Sequence, residues 1–179
     1  MWGAAATPKN KGHQVMENGL TKEQLLARLA EWGLKSETFE HPPIFTVEDG
    51  RQHWQGIPGL HCKNLFLKDA KGQMWLVSAP IDRAIDLKKL PDRIGSARLS
   101  FGQADRLRAT LGIEPGSVTP FALANDLEGK VICVLDKAMM SAPLLAFHPM
   151  VNTATTVLAP QTLISFLEKT GHRPKIVTL

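Results

Sequence analysis

Lys63-Asn64, the run Gly116-Ser117-Val118-Thr119-Pro120, and His148 with Asn152 are the residues whose types and spacing can do chemistry in this chain of 179 residues. They remain when the commoner catalytic patterns are set aside. The chain has no P-loop, no G-x-G-x-x-G, no H-E-x-x-H and no G-x-S-x-G. It contains no tyrosine, so no phenol can act as acid or base. Cys62 adjoins Lys63, which suggests a thiolate held by an ammonium group, but neighbours on a strand point to opposite faces. An ester hydrolase can dispense with a covalent nucleophile and use positioned water, oxyanion donors and polar orienters. A lysine, with an ordinary pKa of about 10.4, is a poor base near neutrality and suits an electrostatic role. The Gly116 run follows Glu114-Pro115 and reads as a tight loop whose amides point at a ligand, glycine permitting close approach. The same G-x-x-x-P string also describes an ordinary turn. His148 precedes Pro149, as a loop histidine with its ring bonded to backbone often does.

The elements that must position these residues are legible in the pattern. Two apolar runs, 63–68 and 74–79, flank a polar turn carrying Gly72, the signature of a β-hairpin. Period two places Lys63, Leu65 and Leu67 on one face and Asn64, Phe66 and Lys68 on the other. Lys63 then either overhangs an apolar floor or snorkels to water. Upstream, Thr21 to Gln24 is a capping-box pattern opening a helix along Leu25, Leu29 and Trp32, closed by Gly33. A short strand over 36–40 and a second capped helix from Thr46 to Asp49 lead into the Gly56–Gly59 loop. Ser100 to Gln103 repeats the capping-box pattern and predicts a helix through Leu107 and Leu111, ended by Gly112. Strands are expected over 130–135, 153–158 and 175–179, a helix over 160–170, and a short helix broken by Pro143 within 137–146. The tail over residues 1–19 shows no periodicity and reads as flexible, with Met16 a possible functional start. Residues 20–179 read as one α+β domain without repeats or linkers.

Composition bounds the function. Hydrophobic residues at 44% and charged residues at 21% fit a globular chain with a real core. No apolar run has membrane-span length and the N-terminus shows no signal-peptide pattern, so a cytoplasmic protein is expected. The two cysteines, Cys62 and Cys133, form no metal-ligand cluster and read as reduced thiols, with no metal or cofactor implied. The net charge of +4 leans toward polyanions such as RNA. Between Ile81 and Arg108 seven basic residues outnumber four acidic ones. Most of them suit a solvated face. Arg98, in a short extended run before a helix, can reach a phosphate or a base edge.

Lys63-Asn64-Leu65-Phe66-Leu67, Gly116 to Pro120, and Phe147-His148-Pro149-Met150-Val151-Asn152-Thr153 occur in an order that resembles the YbaK/ProX-like aminoacyl-tRNA deacylases. These are free-standing relatives of the editing domain inserted in prolyl-tRNA synthetases. The resemblance covers residues 20–179 and implies a mixed, barrel-like curved β-sheet flanked by helices. It implies trans-editing of mischarged tRNA(Pro), with Ala-tRNA(Pro) favoured by the Phe147 to Thr156 run. Cys-tRNA(Pro) deacylation, or a non-catalytic tRNA- or synthetase-binding module of the same fold, is the alternative. On the family pattern Lys63, Gly116 and His148 are catalytic, and Asn64, Ser117, Pro120 and Asn152 bind substrate. Lys63 and Arg98 contact tRNA. The implied partners are the acceptor stem and 3′ end of tRNA(Pro), and prolyl-tRNA synthetase, with no membrane or DNA.

Overall fold

Two threonines start helices by the same device. Thr21 Oγ1 accepts from Gln24 N–H at 3.1 Å while Gln24 Oε1 accepts from Thr21 N–H at 2.9 Å, opening α1 (Lys22–Glu31). After β1 (Glu37–Glu40), Thr46 and Asp49 exchange the same pair of bonds and open α2 (Val47–His53). The computed structural model describes residues 19–179, so the tail expected over 1–19, Met16 included, lies outside the described residues except for Gly19. The predicted hairpin is β2 (Leu60–Asp69) and β3 (Met74–Pro80), paired antiparallel from Cys62 opposite Pro80 to Lys68 opposite Met74. α3 (Leu90–Ile94), β4 (Leu99–Phe101) and α4 (Ala104–Leu111) follow. After them come a 3₁₀ turn over Pro120–Asn125, β5 (Val131–Asp136) and a second 3₁₀ turn over Lys137–Ser141. The chain ends with β6 (Leu145–Phe147), β7 (Ala154–Leu158), α5 (Pro160–Lys169) and β8 (Lys175–Val177).

Two local expectations are corrected. Ser100 does not cap a helix: it lies in β4, its hydroxyl donating to Lys68 O at 3.4 Å, and Gln103, the residue just before α4, makes no side-chain capping bond. Strand pairing took the serine that the pattern assigned to a helix. The segment 137–146 holds a 3₁₀ turn and then the start of strand β6.

The strands run β1-β7-β6-β2-β3-β5-β8, with β4 pairing β2 off this path. The sheet is mixed, with parallel pairs β2–β6, β3–β5 and β5–β8. Among the described residues it is an open path, so its curvature does not close into a barrel. The two faces of β2 carry different cores, as period two requires. Leu67 packs with Trp75, Val77 and Val134 beneath Leu90 and Ile94 of α3. Phe66 packs with Leu76 and Cys133 against residues of α1, α4 and α5.

One edge of β2 positions the site. β3 covers the other edge, but this one meets β6 only at Leu60 and His61, and β4 only from Leu67 to Asp69. Leu60 N–H donates to Leu144 O at 2.8 Å, and Phe66 O accepts from Gly102 N–H at 2.9 Å. Backbone groups of alternate residues face alternate edges, so those of Asn64 face the gap between β6 and β4.

Candidate active site

Lys63 is half-buried opposite Ala79 at this gap. A cavity of about 200 Å³ opens beside it and is lined by Lys63, Asn64, Gly116 and His148, together with Ile44, Phe45, Trp54, Cys62 and Val118. Four of the residues singled out from the sequence thus meet in one place, although they come from a strand, a loop after α4 and a loop after β6.

Asn64 has a more specific role than substrate contact. Its Nδ2 donates to Val118 O at 3.1 Å, and its Oδ1 accepts from the fully buried Ser78 Oγ at 2.6 Å. The side chain therefore ties β2 to the Gly116 loop, and Ser78 of β3 fixes its orientation. Gly116 sits at φ 91°, where a Cβ would meet nothing within 4 Å. Its glycine is required by the left-handed backbone rather than by close approach. The loop's amides do not all face the cavity, because Ser117 N–H donates back to Glu114 O at 3.0 Å.

His148 Nδ1 lies 3.0 Å from Ala154 O. A carbonyl can only accept, so the ring proton is on Nδ1 and Nε2 is left as the acceptor. Burial pushes the His148 pKa down; the bond to Ala154 works the other way, and His41, with ring centroids 6.2 Å apart, lowers it further. A neutral imidazole with a lone pair on Nε2 is the result. Burial also pushes the Cys62 thiol up to about 12, which leaves no thiolate for nucleophilic attack.

Ser117 and Asn152 line a second cavity, of about 450 Å³, with Arg108, Glu114, Met150 and Phe45. Asn152 thus does not share the pocket of His148. Its Nδ2 donates to Ile44 O at 3.2 Å while Ile44 N–H donates to Asn152 O at 3.0 Å. Between the two residues the chain turns at Met150, whose φ of 69° is rare for a non-glycine and aims His148 and Asn152 into different cavities. Pro120 lies outside both: it is buried at the start of a 3₁₀ turn and acts by ending the loop. Arg98 is exposed beside Leu99, which pairs with Asp69, six residues along β2 from Lys63. At about 3.3 Å per residue that is roughly 20 Å away.

Sequence reasoning missed the ring cluster beside the cavity. His41, whose Nε2 is 2.8 Å from Thr155 Oγ1, stacks with His53 at 6.4 Å, and Trp54 stacks on His61 at 4.4 Å. His61 Nε2 is buried without a partner, and burial lowers the pKa of this ring too. Among the described residues no His, Cys, Asp or Glu group is placed to hold a metal ion. No described helix is long and apolar enough to cross a membrane. Of His41, His53, Trp54 and His61 only Trp54 lines the cavity itself, and no local pattern in the sequence marks the group, whose members meet through pairing of distant segments.

Comparison with known proteins shows the family. Residues 41–166 match the model of the aminoacyl-tRNA editing domain. The chain is 40% identical over 164 residues to a Xenopus laevis prolyl-tRNA synthetase associated domain-containing protein 1, covering 89% of this chain and 97% of that one. It is 38% identical over 159 residues to the prolyl-tRNA editing protein ProX of Acetoanaerobium sticklandii, covering 88% and 97%. The solved structure of hypothetical protein APE2540 superposes with a TM-score of 0.67 at 19% identity, covering 86% of this chain and 97% of that one, which speaks to fold. With the editing model spanning the β2 gap, the Gly116 loop and His148, the chain belongs to the aminoacyl-tRNA editing domain family.

Proposed function

We propose that this protein is a trans-editing hydrolase that deacylates mischarged tRNA(Pro), removing alanine by water attack on the aminoacyl ester. The observation that carries the reading is the cavity where Lys63, Gly116 and His148 meet at the open edge of β2. The relatives named for prolyl-tRNA editing and prolyl-tRNA synthetase association support the choice of tRNA(Pro) and of the synthetase as partner. Lys63 supplies positive charge to the ester oxygen as the tetrahedral oxyanion develops. The neutral Nε2 of His148 accepts from the substrate's α-ammonium group or from the attacking water. Asn64 and Ser78 hold the Gly116 loop against the strand, so that its backbone is in place before substrate arrives. Arg98, some 20 Å off by strand length, meets the acceptor stem rather than the ester.

Selection for alanine follows from wall contacts. His148, Ile44 and Val118 bound a site that a bulkier residue must overpack, whereas a smaller one only leaves space. The test compares kcat/KM for Ala-, Cys- and Pro-tRNA(Pro) with purified protein at concentrations far below substrate. The expected order is Ala first and Pro last. Preference for Cys moves the substrate assignment, and stoichiometric binding without turnover makes the protein a binding module.

A further inference from the structure

We propose that the aminoacyl residue of the ester docks on the open edge of β2 as a single residue of antiparallel strand, bridged to the main chain of Asn64. This rests on the deacylase reading, which puts the ester beside Lys63. The pairing of β2 decides which backbone groups are available. Asp69 N–H donates to Gln73 O and His61 O accepts from Ile81 N–H, so the odd-numbered residues of β2 turn their backbone groups to β3. The even-numbered ones face the other edge, where β6 stops at His61 and β4 begins at Leu67. Asn64 lies between, and its main-chain N–H and C=O have no partner among the described residues. From His61 to Leu67 the strand rises roughly 20 Å, several times the length of one residue. Asn64 lines the cavity, so these two groups are within reach of a ligand there.

In an antiparallel bridge two facing residues exchange both of their hydrogen bonds. An alanyl ester carries the two groups that this needs, an α-ammonium donor and a carbonyl acceptor. Parallel pairing splits the two bonds between different residues of the partner, so a lone residue satisfies both groups of Asn64 only in the antiparallel sense. Asn64 N–H then donates to the ester carbonyl and is a second oxyanion donor beside the Lys63 ammonium group. Asn64 C=O accepts from the α-ammonium group, which leaves His148 Nε2 for the attacking water. The sense of the bridge sends the leaving oxygen back along β2 toward Cys62 and Lys63, both in the cavity lining. It also reads chirality. Bridged L-residues carry their side chains on one face, so the alanine methyl lies on the side of the Asn64 carboxamide. That carboxamide is immobilised by Val118 O at 3.1 Å and Ser78 Oγ at 2.6 Å. A D-alanyl group turns its methyl to the face that bears Lys63.

The experiment compares L-alanyl-adenosine with lactyl-adenosine, which has a hydroxyl in place of the ammonium group, and with D-alanyl-adenosine. Each kcat/KM is divided by the uncatalysed hydrolysis rate of the same ester. The alanyl-to-lactyl ratio is expected to be on the order of tenfold or more, the usual worth of a hydrogen bond to a charged group. It is expected to persist in His148→Ala although both activities fall. A ratio near one in the wild type, or a ratio that collapses in His148→Ala, overturns the proposal, since the ammonium group is then unread or read by the histidine. The L-alanyl ester is expected to exceed the D-alanyl ester, and equal values overturn the bridge. A further measurement does not depend on turnover: amide NMR of the wild type titrated with the hydrolysis-resistant 3′-alanylamino-adenosine. The Asn64 main-chain amide is expected to shift downfield and to exchange more slowly with solvent, and an Asn64 amide that the ligand leaves unmoved overturns the proposal. Failure of the wild type to hydrolyse Ala-tRNA(Pro) sinks the deacylase reading, while the Asn64 amide still decides the docking.

Discussion

Lys63 brings an ammonium group to a cavity whose other described lining residues are apolar or uncharged. Lys63→Ala is therefore expected to cut kcat by roughly a hundredfold or more, the usual cost of one oxyanion donor, with thermal unfolding nearly unchanged. A variant that unfolds well below the wild type would make the lysine structural. His148 gives a second prediction, in pH. Its pKa lies below the ordinary 6.5, so Nε2 keeps its lone pair as pH falls through that value. Activity is expected to hold at pH 6.5 and to decline only in more acid solution, where Nε2 gains a proton and turns from acceptor to donor. An acid inflection at or above 6.5 that persists in His148→Gln would take His148 out of this role. Ser78 is fully buried and lines neither cavity, so it is a positioning residue that acts through Asn64. Ser78→Ala leaves the Asn64 carbonyl without its buried donor, at a cost of about 1–3 kcal/mol in stability. Its effect on kcat should be non-additive with that of Asn64→Ala, because both loosen the same tie to Val118; strict additivity would separate them.

At the scale of elements, α2 and the hairpin matter most. Gly50 lies inside α2, where alanine ordinarily gains about 1 kcal/mol. Here an added Cβ would collide with the Trp54 indole, which is stacked on His61 and lines the site. Gly50→Ala is therefore expected to destabilise the protein and lower kcat/KM together; a more stable, fully active variant would mean the indole yields freely. The hairpin and both threonine caps were legible from sequence because each is a local pattern whose partners lie within a few residues. Strand β6 was not, since three residues are too few to display a period. Its identity comes from pairing with β2 and β7, both distant in the chain. The same holds for the site. Lys63, Gly116 and His148 could be picked out by residue type and motif. That Asn152 belongs to another cavity depends on the left-handed turn at Met150, a conformation methionine does not advertise. Ser78 looks like any strand serine until Asn64 is seen across from it.

Over the whole molecule, under the proposed function, the separation of Arg98 from Lys63 would give a long substrate two distinct kinds of contact. Arg98→Ala is expected to lower kcat/KM several-fold on aminoacyl-tRNA while leaving alanyl-adenosine nearly unaffected, the difference shrinking as salt is raised. Equal losses on both substrates would place Arg98 in the scaffold. The buried pair of Asp126 and His172, 2.9 Å apart, ties the segment before β5 to the segment after α5. Burial works against the charged carboxylate there, but bonds from His172, Val131 N–H and Lys130 N–H hold Asp126 below the usual carboxylate range. The seam between β6 and β2 has a consequence for the order in which the protein opens. Strands β1, β7 and β6 join the rest of the sheet through two residue pairs, Leu60–Leu145 and His61–Ala146, whereas β2, β3 and β5 are laced along their length. In hydrogen exchange, β1 and β7 amides should therefore become labelled as one block, sooner than those of β3 and β5. The cavity beside Lys63 lies immediately beyond that seam, so a ligand bound there, touching both sides, would act as a rivet and slow labelling of the β1–β7–β6 block.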